Sequence, residues 1–437
     1  MTQVTLTSLA ARGQAVGKED GRVVFVDGGA PGDVAELEYT RVRKNHAEAR
    51  IGRLVTPSAQ RVTAPCPVFG ACGGCQWQHV SEEAQRAAKR SFVVESLKRI
   101  GGIESPAVEA TLTPVPPYGY RNRVIHPIEW REGRPVAGFY RRSSHELVEA
   151  PVCAVARPEI APVVAAALQG LTRATGAGGE SVRHLSVRVG ERTGETLLTF
   201  VTGEAAFLGA EPFAADLVAN VPGLAGVVHN RQPDAGNTVF GAESRAVAGL
   251  DHVRERIRDL TFRVSATAFF QVSAPGAEAL AGAVLEFLSG PKASRVLDLF
   301  CGGGLFSLVA ARAGATTLGV DSAAAAIHDA RVSAEWNQLP DASFRCGDGE
   351  GLAEEALASF RPDAVVVDPP RQGLARSLAE RLASCAASRL AYVSCDPATL
   401  ARDLKILLAG GWRPVKITPV DLFPQTFHVE TIALLSR

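Results

Sequence analysis

The amino-acid sequence predicts an α/β protein in which a small β-barrel and a central α+β domain precede a doubly wound parallel sheet. Three patterns predict this fold class. Apolar and polar residues alternate up to residue 58, a cysteine cluster then leads into mixed helix and strand patterns, and strand–helix units repeat from residue 266. We therefore expect three domains, at residues 1–58, 59–265 and 266–437.

Composition narrows the class of protein. Of 437 residues, 46% are hydrophobic and the formal net charge is zero, so an acidic partner must be bound by local basic patches. The chain shows no charged-then-apolar N-terminal signal and no apolar run of membrane-spanning length, so we expect a cytoplasmic protein without membrane attachment. In that reducing compartment, clustered cysteines indicate metal binding or catalysis before disulfides. No protein partner is implied.

The first 58 residues resemble a five-stranded antiparallel barrel, with glycine-containing turns between short alternating runs. One stretch, RVRKNHAEAR, places Arg41, Arg43, Lys44 and Arg50 against a single Glu48. Small barrels with a basic edge often bind oligonucleotides. A solvated, charged strand is the alternative.

The central region, residues 59–265, combines a helix with short strands such as HLSVRVG and TLLTFVTG. Its segment 118–142 contains six arginines and two glutamates among aromatic residues. Arginine beside aromatic rings suits unstacked RNA bases, which predicts an RNA-contacting surface. A structural hairpin with a charged face is the competing interpretation.

Four cysteines of this region have metal-ligand character. Cys66, Cys72 and Cys75 form a tight triplet among glycines, and Cys153 lies far downstream. Four thiolates suit either structural zinc or a [4Fe–4S] cluster. Zinc sites more often show two paired arms, so a triplet plus a distant fourth cysteine favours iron–sulfur. His79 is a possible ligand of a mixed zinc site, although such a histidine is more often simply packed.

The C-terminal units predict a Rossmann-like domain with a nucleoside pocket. The loop 298–304, DLFCGGG, follows a strand and opens a helix. Asp321, Asp348 and Asp368 each follow a later strand. A carboxylate at such a strand end can hold ribose hydroxyls. The loop lacks the full dinucleotide fingerprint, and acids rather than cations surround the site. This favours S-adenosylmethionine over NAD, which remains the alternative.

A cysteine at another strand end indicates the chemistry. In VSCDPATLARDL, Cys395 follows an apolar strand, and Asp396 and Pro397 have the character of a helix N-cap and first-turn proline. That location is expected to lower the thiol pKa. Addition of a thiolate to C6 of a pyrimidine lets C5 attack a methyl group, after which a base removes the C5 proton. Glu430, in the terminal strand, is the candidate base. A buried structural cysteine and a surface glutamate are the alternatives.

At these residues the sequence resembles the RNA uracil-C5 methyltransferases. The motifs YRNRV, FFQVS, DLFCGGGLFSL, DPPRQGL, SCDPATLARDL and FPQTFHVETIALL stand in family order along nearly the whole chain. The resemblance implies a TRAM domain in the barrel, [4Fe–4S] ligands in the four early cysteines, Cys395 as nucleophile and Glu430 as base. It also implies that Arg371 helps to hold the base or a phosphate. Contacts to S-adenosylmethionine are implied for Gln271, Phe300, Leu305, Asp321, Asp348 and Asp368.

Three positions depart from the family pattern. Asp396 and Ser273 each stand where the family usually has asparagine, and Leu305 stands where a polar residue is common. Barrel and cysteine cluster together resemble the 23S ribosomal RNA enzymes, so 23S rRNA is the expected target. The tRNA T-loop uridine is the alternative. Methylation of cytosine C5, which the C-terminal HVE motif disfavours, and a non-catalytic RNA-binding relative are the remaining hypotheses.

Overall fold

The computed structural model describes residues 3–234, 236, 238–289, 294–347 and 349–437. Within these residues the chain forms a closed barrel, a central sheet with two helices, a hairpin, and a C-terminal sheet flanked by helices. No helix of this described part is long and apolar enough to cross a membrane.

The N-terminal barrel has the five strands that the alternation predicts, in the order β1-β2-β3-β5-β4. Every pair is antiparallel except β3 with β5, which is parallel. Arg41, Arg43, Lys44 and Arg50 of the predicted basic edge are all exposed, and Arg50 forms an ion pair with Glu38 at 2.6 Å. The strands are β1 (Gln3–Leu9), β2 (Ala15–Glu19), β3 (Arg22–Asp27), β4 (Val34–Val42) and β5 (His46–Thr56).

The central sheet has seven strands, in the order β12-β11-β10-β9-β6-β7-β8. Helices α2 and α3 share one hydrophobic core with it, since apolar residues at helical spacing meet the alternating apolar side chains of the strands. The elements are β6 (Arg123–Arg131), β7 (Arg134–Tyr140), β8 (Leu147–Glu149), α2 (Ile160–Arg173), β9 (Val182–Val189), β10 (Thr196–Thr202), α3 (Ala210–Asn220), β11 (Leu224–Arg231) and β12 (Glu243–Gly249).

Helix α1 (Glu82–Arg99) begins at Ser81, whose side chain accepts a hydrogen bond from Ala84 N. Val93 and Leu97 of α1 belong to a hydrophobic core of the C-terminal sheet. The hairpin β13 (His252–Ile257) and β14 (Leu260–Ser265) likewise joins the core on the other side of that sheet. The three predicted domain ranges stay predictions.

The C-terminal sheet is doubly wound, with order β17-β16-β15-β18-β19-β21-β20. Its first five strands in space run parallel, and β21 pairs antiparallel with both β19 and β20. The chain reverses direction between β15 and β18, where doubly wound sheets open a ligand crevice. The elements are α4 (Ala274–Ser289), β15 (Arg295–Leu299), α5 (Leu305–Arg312), β16 (Thr316–Asp321), α6 (Ala324–Trp336), β17 (Ala342–Cys346), α7 (Gly349–Phe360), β18 (Ala364–Val367), α8 (Arg376–Ser384), β19 (Arg389–Ser394), α9 (Pro397–Ala409), β20 (Arg413–Val420) and β21 (Glu430–Ser436).

Candidate active site

A cleft of about 1580 Å³ lies at the carboxyl ends of β15, β16, β18 and β19. The sequence places polar or reactive side chains directly after these strands, and the parallel sheet brings them to one edge. The predicted site residues that line this cleft are Gln271, Phe300, Leu305, Asp321, Asp368, Cys395 and Glu430. Asp348, the remaining residue predicted to contact S-adenosylmethionine, lies outside the described residues.

The loop after β15 has a backbone that few sequences allow. Phe300 has φ +62°, and Gly302 and Gly304 have φ +51° and +82°. A bulky aromatic residue in this region is strained, and such strain is typical of a ligand-binding turn. Asp321, at the end of β16, accepts hydrogen bonds from Gly302 N at 2.9 Å and Ala323 N at 2.8 Å. The acid therefore fixes the glycine loop as well as facing the cleft.

Asp298, for which no role was expected, anchors the start of α5, the helix that follows the loop. It is fully buried, and its Oδ2 accepts hydrogen bonds from the Ser307 backbone N and hydroxyl at 2.9 and 2.7 Å. Its Oδ1 has no hydrogen-bond partner within the described part of the chain. Burial raises the pKa of this carboxyl to about 7. The strand end LDLF was the signal that could have identified it.

Asp368 and Gln271 meet in the middle of the cleft. Gln271 Nε2 donates to Asp368 Oδ2 at 3.4 Å, and Asn122 Nδ2 donates to Gln271 O at 3.0 Å. Asp368 is half-buried, and desolvation together with the nearby Glu430 carboxyl raises its pKa well above the usual range. The central region thus supplies a contact that places the FFQVS segment against the C-terminal sheet.

Cys395 stands one residue beyond β19, at the start of α9. The predicted cap is confirmed, because Asp396 Oδ1 accepts hydrogen bonds from Ala398 N at 2.9 Å and Thr399 N at 3.0 Å. The antiparallel register of β19 and β21 pairs Ser394 with Thr431. One residue further along, the same register places Cys395 across from Glu430.

The predicted lowering of the Cys395 pKa is wrong. Burial raises the pKa of this thiol to about 11, and the negative charges of Glu430, Asp368 and Asp396 add to the rise. Arg371 acts in the opposite direction. The helix N-terminus was visible in the sequence, but the burial and the two acids on neighbouring strands were not.

Glu430, Arg371 and His428 form the remaining wall of the cleft. Burial raises the pKa of Glu430 to about 7, and the Arg371 charge lowers it. Burial lowers the pKa of His428 to about 4, so its ring is neutral at neutral pH. Because an arginine only donates, His428 Nδ1 accepts from Arg371 Nη2 at 3.3 Å. No role was expected for His428 from the sequence, although it precedes Glu430 by two residues.

The strand order separates two halves of this cleft. The glycine loop and Asp321 follow β15 and β16, on one side of β18. Cys395 and Glu430 belong to β19 and β21, on the other side. Asp368 follows β18 itself, between the two halves. One half therefore has the acids and glycines of a nucleoside site, and the other has a thiol and a carboxyl close together.

The four early cysteines line a second cavity of about 450 Å³, here called the cysteine cavity. Burial raises the pKa of Cys72, Cys75 and Cys153, with further contributions from the other cysteines of the set. No group of three or more His, Cys, Asp or Glu side chains that could hold a metal ion occurs in the ranges that the structure describes. The His79 ring is buried against the barrel, with Nε2 at 3.1 Å from Gly29 O.

The two cavities adjoin. Arg121, Phe269, Phe270 and Gly74 line both of them. Phe269 is one of the most exposed large apolar side chains in the described part, at 64%. The predicted arginine- and aromatic-rich segment thus reaches the cleft through Arg121.

Two family models match parts of the chain. A model described as tRNA (Uracil-5-)-methyltransferase matches residues 243–437. A TRAM domain model matches residues 2–51. The match to the C-terminal part includes Asp368, Cys395 and Glu430.

Two bacterial proteins are similar over nearly their whole length. An uncharacterized RNA methyltransferase of Gloeobacter violaceus is 40% identical, over 99% of this chain and 96% of that protein. Another, of Thermosynechococcus vestitus, is 38% identical over 99% and 97%. The crystal structure of the Pyrococcus abyssi tRNA (uracil-54, C5)-methyltransferase with S-adenosyl-L-homocysteine has a TM-score of 0.78 and 26% identity, covering 99% of this chain and all of that one. The predicted fold class is thereby confirmed, and the chain belongs to the S-adenosylmethionine-dependent RNA methyltransferases of the uracil-5 family, with a TRAM domain as its N-terminal barrel.

Proposed function

We propose that this enzyme methylates C5 of a uridine in RNA through a covalent adduct between Cys395 and C6 of the base. The observation that carries the proposal is the β19–β21 register, which sets Cys395 across from Glu430 in one cleft. Uracil C5 is a poor nucleophile, so a methyl donor alone is not sufficient. A thiol and a base on adjacent strands meet that requirement.

The nucleoside half of the cleft fits S-adenosylmethionine. Asp321 and Asp368 face the cavity, and Phe300 and Leu305 line it with apolar surface. The cationic side chains Arg371, Arg376 and Arg402 belong to the loop after β18 and to α8 and α9, away from the glycine loop. When bound, the cofactor supplies an electrophilic methyl group on a cationic sulfur. The acids Asp321 and Asp368, with Gln271, would hold and orient it.

The reacting half of the cleft would act in three steps. The Cys395 thiolate adds to C6 and forms a C–S bond, which moves the electron pair toward C5 and the O4 oxygen. Once C5 carries the methyl group, Glu430 accepts the C5 proton. The returning electron pair then expels the Cys395 thiolate and restores the C5–C6 double bond. Arg371 lowers the pKa of both groups and would contact the base or a phosphate.

For the cysteine cavity we propose a [4Fe–4S] cluster held by Cys66, Cys72, Cys75 and Cys153. The four side chains line one cavity. A tight triplet with a distant fourth cysteine, rather than two paired arms, supports iron–sulfur over zinc. Arg123 lines the same cavity and offers positive charge against four thiolates.

As the target we propose 23S rRNA, on the resemblance carried by the barrel and the four cysteines together. The tRNA T-loop uridine is the second candidate. It is favoured by the full-length structural similarity to a tRNA (uracil-54, C5)-methyltransferase.

The test is methylation of bulk rRNA and tRNA from cells that lack this gene. Purified protein and labelled S-adenosylmethionine are added, and the products are digested to nucleosides. Labelled 5-methyluridine in 23S rRNA is the expected result. Labelled 5-methyluridine in tRNA alone would support the proposed reaction and replace 23S rRNA by tRNA as the target. If no 5-methyluridine forms in either RNA, the non-catalytic RNA-binding hypothesis replaces this proposal.

A further inference from the structure

The buried face of α1 changes character along its length. Gln85, Lys89, Val93 and Leu97 recur every four residues and are all buried. Val93 and Leu97 pack into the core beneath the C-terminal sheet. Gln85 and Lys89 are polar, and burying such groups costs free energy unless they are hydrogen-bonded. Both have partners in one segment, residues 421–428, here called the 421–428 segment. Gln85 Nε2 also donates to Trp77 O at 3.1 Å and Val80 O at 2.9 Å, in the loop before α1.

Gln85 and Gln425 form a reciprocal pair. Gln85 Nε2 donates to Gln425 Oε1 at 3.0 Å, and Gln85 Oε1 accepts from Gln425 N at 2.9 Å. The Gln425 carbonyl in turn accepts from Gln76 N and Trp77 N, both at 3.0 Å. Gln425 has φ +70°, a left-handed conformation that costs a non-glycine residue energy and needs surrounding contacts to persist.

Lys89 holds the beginning of the same segment. Its fully buried ammonium donates to Asp421 Oδ1 and to Phe423 O. Tyr120 OH adds a hydrogen bond to Pro424 O at 3.0 Å. Removing one member of a buried ion pair leaves an uncompensated charge, so this contact fixes the segment strongly.

The opposite side of the 421–428 segment forms the active-site wall. Phe423, Thr426 and His428 line the cleft, and Glu430 follows two residues later. Phe427 packs instead against the core of the N-terminal barrel. The segment is therefore held by α1 and the cysteine-rich region on one side, and presents the candidate base on the other.

We propose that Gln85 and Lys89 are positioning residues for proton removal, holding the 421–428 segment so that Glu430 stays in reach of C5 while the base is bound to Cys395. The inference rests on the proposed function, because it needs Glu430 as the base. It also explains why polar residues occupy the core-facing stripe of α1. They contact a segment about 340 positions away in sequence, at the step that ends the reaction.

The test separates the steps before and after methyl transfer. RNA containing 5-fluorouridine has no C5 proton to lose, so a covalent protein–RNA adduct on this RNA reports only nucleophile and methyl transfer. For full-length Gln85→Met we expect adduct formation on 5-fluorouridine RNA at close to the wild-type rate. Turnover of ordinary RNA should fall about 10- to 100-fold, because a small misplacement of a reacting group has that cost. Adduct should also accumulate on ordinary RNA.

Glu83→Met is the matched control, since Glu83 is exposed on the same helix. It should behave as wild type in both assays. If Gln85→Met does not fold, Gln425→Gly decides, because it keeps the three hydrogen bonds of the Gln425 backbone, loses the side-chain bond to Gln85 Nε2, and relieves the left-handed strain. Gln425→Gly should also form adduct on 5-fluorouridine RNA at close to the wild-type rate and turn over ordinary RNA more slowly, with a smaller loss of turnover than Gln85→Met.

Equal losses in trapping and turnover, or no loss of turnover in a folded variant, would overturn the positioning role. Failure of the proposed function looks different: wild-type protein forms no adduct on 5-fluorouridine RNA, or Glu430→Gln accumulates none on ordinary RNA. That outcome removes the base and this inference with it.

Discussion

The cleft and the cysteine cavity use the same side chain in opposite surroundings. Cys395 is a single thiol facing the carboxyls of Glu430 and Asp368, with Arg371 as the opposing charge. In the cysteine cavity four thiols line one space, with Arg121 and Arg123 at the wall. Burial raises thiol pKa values in both places. The neighbours, not the cysteine, distinguish the two sites.

The comparison shows what each thiol needs before it can act. A thiol among carboxyls stays protonated until more positive charge arrives. Arg371 is already present beside the thiol, so the added charge would come from the cationic methyl donor. Cysteine ligands give up their protons when a metal binds. We therefore expect the Cys395 thiol to become reactive only in the loaded cleft, and the ligand thiols of the cysteine cavity to be deprotonated by iron binding.

Replacing the cleft thiol should have the largest effect. Cys395→Ala is expected to reduce methyl transfer by at least about 10⁴-fold, as loss of a covalent nucleophile does in other enzymes. RNA binding should persist, since the barrel and the arginine-rich segment are untouched. Single-turnover methylation and filter binding measure the two properties. Cys385→Ala, outside both cavities, is the control, and retained turnover in Cys395→Ala would eliminate the covalent mechanism.

Removing the base should slow the reaction at a later stage. Glu430→Gln is nearly isosteric but cannot accept the C5 proton, so we expect a loss of about 10²- to 10⁴-fold in turnover. The methylated base should remain attached to Cys395. Denaturing gels would then show a shifted protein–RNA band that the double variant with Cys395→Ala lacks. A slow variant without this band would assign the proton to another group.

The pH profile tests whether the cleft thiol is protonated in the free enzyme. Because burial and the acids raise the Cys395 pKa to about 11, its thiolate is scarce at neutral pH. The Glu430 pKa of about 7 means that the base is also partly protonated below that pH. We expect kcat/KM to rise with pH between 7 and 9, by up to about tenfold per unit. RNA affinity measured at each pH is the control, and a plateau from pH 7 upward would contradict the raised thiol pKa.

The strand-end residues of the cleft could be predicted from the sequence, because each follows a continuous apolar run and a parallel sheet gathers such ends at one edge. Asp321, Asp368 and Cys395 were found in this way. The thiol pKa could not be predicted, since it depends on burial and on acids from other strands. The hydrogen-bonded pair of Gln85 and Gln425 could not be predicted either, because it joins parts of the chain that are distant in sequence.

Replacing a thiol of the cysteine cavity should remove the iron and reduce activity only modestly, whereas Cys395→Ala should keep the iron and lose methyl transfer. Cys75→Ser removes one of the four ligands, so we expect colourless protein without iron and a loss of activity of about tenfold, through displacement of the adjoining segment. Anaerobically purified wild type and Cys395→Ala should both be brown, with broad absorbance at about 400 nm. Metal analysis that finds zinc, or no metal, in the wild-type protein would remove the iron–sulfur proposal.

The smallest effect should come from the residue that separates this chain from the usual family pattern. Asp396 raises the Cys395 pKa less than the other causes do. Asp396→Asn keeps a side-chain oxygen for Ala398 N and Thr399 N, and asparagine caps a helix as well as aspartate. With the charge gone and the cap kept, kcat/KM at pH 7.5 should rise by about two- to fivefold. Asp396→Ala removes the cap as well, and should lower the free energy of unfolding by about 1 kcal/mol. If Asp396→Asn is no faster than wild type while its melting temperature is unchanged, the thiol does not sense this carboxylate. The acids on β18 and β21 would then account for the raised pKa alone.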